Sequence, residues 1–93
     1  MPDDDDEIRL TIPPDADLQP VLVAAVAAVV RRSGLGDAEV ARSRDQAADA
    51  FATAIEQGAG DAVTLTASAG RRTYRFEVRS GTWAEVRHQP TGG

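Results

Sequence analysis

The chain has no cysteine and no lysine, a single histidine, and only four aromatic side chains in 93 residues. Each shortage removes some chemistry. Without cysteine there is no disulfide framework and no thiolate metal site. Without lysine there is neither a Schiff-base nucleophile nor the phosphate-binding lysine of a P-loop. His88 is the lone imidazole and lies near the end of the sequence, which argues against a Ser-His-Asp triad and excludes a multi-histidine metal centre. Bulky apolar residues are also scarce. Leu, Ile, Val and Phe together number 19, whereas alanine alone accounts for 17. That is near the lower limit for a globular chain, so the core is expected to rely on close packing through alanine or on a partner.

Long apolar runs are missing too. Val21–Val30 spans ten residues, too few to cross a bilayer, and no basic stretch precedes it as in a signal peptide. The expectation is a cytoplasmic protein with no membrane contact. The formal charge of −5 is unevenly placed. Asp3, Asp4, Asp5, Asp6 and Glu7 form one acidic run, and the remaining acidic residues are balanced by ten arginines. A neutral body without a basic stripe speaks against nucleic acid as a partner. The expected organisation is a disordered acidic leader over 1–7, one domain over 8–88, and a loose tail over 89–93.

Ile8, Leu10 and Ile12 alternate with Arg9 and Thr11, which predicts a half-buried strand stopped by Pro13-Pro14. Asp15 or Asp17 then caps a helix with Pro20 in its first turn, running to about Ser33 and closed by Gly34. Leu18, Leu22, Val26 and Val29 form one apolar stripe; Val23, Ala27 and Val30 form another. A helix apolar nearly all round is buried on more than one side. Asp37 is expected to cap a second helix running to about Gln57 and closed by Gly58, with Val40, Ala47, Phe51, Ala54 and Ile55 inward and Arg42, Asp45, Gln46, Asp49, Thr53 and Glu56 outward.

Alternation at Val63–Ser68 and Thr73–Arg79 around Ala69-Gly70-Arg71-Arg72 predicts an antiparallel hairpin with one apolar face. Trp83 and Val86 suggest a further short strand. The order β-α-α-β-β points to an α+β two-layer sandwich, with two helices on one face of a small antiparallel sheet.

Ile8–Pro13, the alanine-valine helix, Gly34-Leu35-Gly36-Asp37, the stretch Asp49–Gly58 and the hairpin over 62–79 together resemble the front half of the anti-sigma-factor serine kinases, of the histidine-kinase-type (GHKL) ATPase superfamily. In that family the second helix carries a Glu that supports phosphoryl transfer and, four residues later, an Asn that holds Mg²⁺. The matching positions here are Asp49, one methylene too short, and Thr53, a weaker Mg²⁺ ligand than an amide carbonyl. The family's adenine-reading Asp-x-Gly corresponds to Arg79-Ser80-Gly81, and an arginine cannot accept the adenine amino hydrogen bond. The lid and second glycine box have no counterpart.

The resemblance therefore implies a truncated, nucleotide-independent relative: a non-catalytic module that binds a sigma factor, an anti-sigma antagonist domain or itself as a homodimer, with no cofactor. Two alternatives stand beside it. One is a minimal Mg-ATP-binding kinase using Asp49; the other is an unrelated α+β dimerisation domain. Asp49 and Thr53 are either a relic ligand site or a solvated helix face. Arg71, Arg72, Arg75 and Arg79 form the only basic cluster. They either receive an acidic patch or the Asp3–Glu7 run, or they protect a strand from aggregation. Trp83 reads as a sheet-end cover and His88 as a solvated residue without a task.

Overall fold

The computed structural model describes residues 6–89, and along the chain two helices fall between the first strand and the other three. Strand β1 (Asp6–Ile12) leads through a 3-10 turn (Ala16–Leu18) into helix α1 (Gln19–Arg32). Helix α2 (Asp37–Gln57) follows, and then strands β2 (Val63–Gly70), β3 (Thr73–Ser80) and β4 (Trp83–Gln89). The sheet is antiparallel throughout, in the order β1-β2-β3-β4. Its fold class is the expected α+β, with a fourth strand completing the β-α-α-β-β order.

Both ends of the sheet exceed the sequence expectation. Asp6 and Glu7 belong to β1 because β2 continues to Gly70 and offers them Ala69 and Ser68 as partners. The acidic leader thus stops short of residue 6, and its remainder, residues 1–5, lies outside the described residues. Likewise β4 is a full strand paired along β3, from Trp83 opposite Ser80 to Gln89 opposite Tyr74. The predicted loose tail loses Gln89 to this strand, and residues 90–93 lie outside the described residues.

Local signals account for the helices. The Asp15 side chain accepts from the Asp17 N–H and caps the 3-10 turn. Pro20 sits at the start of α1, where its missing N–H costs little. Gly34, at φ +86°, takes the left-handed position after the helix. Gly58 closes α2 differently. Its φ of −81° is right-handed, and the left-handed residues are Ala59 and Gly60.

The helices pack side by side and cover one face of the sheet, α1 over β1 and β2, α2 over β3 and β4. Two layers fit the shortest dimension of 20 Å. Phe51, Phe76, Leu22, Leu65, Val63 and Val78 are fully buried between the layers, with Ala47, Ala50 and Ala54 permitting the close approach of α2. In α1, Leu22, Val26, Ala27, Val29 and Val30 are buried, whereas Val21 is 47% exposed. The helix is therefore buried on two flanks and leaves its outer edge to solvent.

Candidate functional site

Asp49 and Thr53 lie one helical turn apart on α2, but their polar atoms serve the chain itself. The Thr53 hydroxyl donates to the Asp49 carbonyl at 3.1 Å, the back-bonding typical of a threonine within a helix. The Asp49 carboxylate, 75% exposed, faces the Arg87 guanidinium of β4 at 3.8 Å. Arg87 also pairs with Glu85. A divalent cation here would meet one carboxylate already opposed by a guanidinium and a hydroxyl turned to backbone. These residues do not fit a magnesium nucleotide. Among the described residues, no three His, Cys, Asp or Glu side chains converge as a metal site.

The Arg79-Ser80-Gly81 segment divides between the two faces. Arg79 points to the uncovered face of the sheet, where it pairs with Glu77 at 2.9 Å, away from Asp49 and Thr53. Ser80 points inward, is 1% exposed, and donates to the Asp61 carbonyl at 3.0 Å. It ties the end of β3 to the α2–β2 loop.

The four arginines of the basic cluster also separate. Arg71 and Arg72 form the two-residue tip between β2 and β3, where Arg72 adopts φ +59° and its N–H donates to the Ser33 carbonyl at 2.7 Å. The tip thereby packs against the end of α1. Arg75 and Arg79 lie on the uncovered face, in the register opposite Ser68 and Thr64. Arg9 of β1 joins them there, exposed and opposite Thr66. In the sequence Arg9 shows only its strand parity with Thr11, and nothing there ties it to Arg75 and Arg79.

Elsewhere, Tyr74 is 3% exposed on the helix side of β3. Burial pushes its hydroxyl above the usual tyrosine value, the Glu39 carboxylate adds to the rise, and the Arg42 guanidinium opposes it. Glu39 pairs with Arg42 at 3.3 Å through one oxygen, and its other oxygen is buried without a hydrogen bond. Between the end of α1 and the start of α2 lies an open groove of about 450 Å³ lined by Arg31, Asp37, Val40, Ala41, Arg44 and Asp45. Its two cations and two anions cancel. Among the described residues, no helix is long and apolar enough to cross a membrane.

No protein-family model matches the chain, and comparison with curated proteins gave no significant match.

Proposed function

We propose that the chain is a non-catalytic regulatory protein-binding module of the anti-sigma type, acting in the cytoplasm in a partner-switching circuit. Its partner is a sigma factor, an anti-sigma antagonist domain or a second copy of itself. The observation that carries this reading is the state of Asp49 and Thr53. The two residues that would serve a nucleotide are engaged with Arg87 and with helix backbone instead. The element order through β3 and the second face of the sheet, which carries no helix among the described residues, support it further, because they combine the resembling framework with a binding surface.

Calorimetric titration with sigma factors and antagonist domains from the same genome tests the proposal. Binding of equal strength with and without Mg-ATP is expected. A strict monomer in gel filtration with no affinity for any of these domains would end it. The alternative, a minimal Mg-ATP-binding kinase, draws on the exposure of the Asp49 carboxylate. It requires millimolar Mg-ATP to raise the melting temperature, because a ligand that binds only the native state must stabilise it. A flat response removes that alternative.

A further inference from the structure

The uncovered face of the sheet has a defined chemistry. Glu7, Arg9 and Thr11 of β1, Thr64, Thr66 and Ser68 of β2, and Thr73, Arg75, Glu77 and Arg79 of β3 all share the parity opposite to the core. Hydroxyls floor the centre and three guanidiniums stand over it. Arg9, Thr64, Thr66, Glu77 and Arg79 enclose a shallow concavity of about 210 Å³. Arg79 is held by Glu77. Among the described residues, Arg9 and Arg75 make no ion pair and the Thr66 hydroxyl makes no hydrogen bond.

Spacing selects the ligand. Arg75 and Arg79 lie four residues apart on one strand, about 13 Å at the usual rise per residue. Arg9 lies two strands away, about 10 Å across the sheet. A single small anion cannot bridge such distances, but an extended peptide with carboxylates four residues apart matches the Arg75–Arg79 interval. Glu77 sits midway and repels a carboxylate at the central position. The face carries no Phe, Tyr or Trp among its described residues, so it offers bases no stacking platform of the kind single-stranded nucleic acids use.

We infer that this face docks an extended acidic segment of a partner protein, with carboxylates at positions i and i+4 and a neutral, hydrogen-bonding residue at i+2. The inference rests on the reading of the chain as a protein-binding module and specifies the surface and partner chemistry. Exposed ion pairs contribute little each, so the contact is weak for a short peptide and suited to detection by NMR.

The test titrates the ¹⁵N-labelled full chain with the peptide Ala-Asp-Ala-Thr-Ala-Asp-Ala at low salt. Amide shifts are expected on β1, β2 and β3 and not on α1 or α2. The R75A/R79A double variant should weaken binding about fivefold, two exposed ion contacts being lost. R31A/R44A, on the helix layer, should leave the affinity unchanged. Replacing the central Thr of the peptide by Asp should not tighten binding despite the added charge.

The proposal fails if the outer-face amides do not shift, if R31A/R44A weakens binding as much as R75A/R79A, or if the triply acidic peptide binds more tightly. It also fails if a single-stranded oligonucleotide moves the same amides at lower concentration. A native partner that binds wild type and R75A/R79A equally would overturn the docking face alone and leave the module reading standing.

Discussion

At Gly58 the missing side chain is what the packing requires. A β-carbon built there would lie 2.6 Å from Ser80 Cβ and 2.8 Å from the Ala54 carbonyl oxygen, both closer than packed atoms tolerate. Ser80 itself is buried and bonded to Asp61, so it has little room to withdraw. Gly58→Ala should therefore destabilise the chain by about 1–3 kcal/mol, the range for overpacking. Urea denaturation measures this, and Ser80→Gly in the same chain should recover part of the loss. Tyr74 makes a second prediction at this scale. Its hydroxyl ionises above 10 in the folded chain, so above pH 10 the native state holds a proton that the unfolded state has released. Stability is complete below pH 10 and falls as the pH rises beyond it. Tyr74→Phe should flatten that fall in a series of melts, and Glu39→Gln should lower the tyrosine ionisation seen by ultraviolet titration.

Helix α2 concentrates the large contacts of the core, because alanines on its inner face bring it close and Phe51 fills the space between. Phe51→Ala should cost about 3–5 kcal/mol in urea denaturation. Small domains hold only about 5–15 kcal/mol in total, so such a loss removes a large share of the stability. On the opposite face of the helix, Asp49→Ala removes only an exposed ion pair. It should change stability by less than about 1 kcal/mol.

The contrast explains what was legible. Periodicity located both helices and the hairpin, because burial on one side imposes 3.6- and 2-residue repeats. Strand β4 was harder to read. Its helix-facing side carries Trp83, Glu85 and Arg87 in place of an apolar stripe, so alternation is absent at an edge that solvent partly reaches. Ser43, fully buried on α2, was also missed, since its hydroxyl donates to the Val40 carbonyl and removes its own polar cost. The candidate site was only half legible. Asp49 and Thr53 were named through the family resemblance, but their engagement with Arg87 and with backbone depends on where β4 packs. Arg9 joins Arg75 and Arg79 only through strand pairing across more than fifty residues.

For the molecule as a whole, that long-range pairing separates β1 from the rest of the sheet. The hairpins β2–β3 and β3–β4 close through two-residue turns, whereas Thr11 meets Thr64 only after both helices have been threaded between them. Closing a loop of that length costs entropy that the local hairpins do not meet. The meander of β2, β3 and β4 should therefore form before β1 docks, and β1 should leave first when the chain opens. Native-state hydrogen exchange gives the expected order directly: amides of β1 exchange through a lower free energy of opening than those of β2 facing β3. Because Arg9 rides on β1, the arginine triad exists only while that last-arriving strand is seated. The surface could then be dismantled without unfolding the core that supports it.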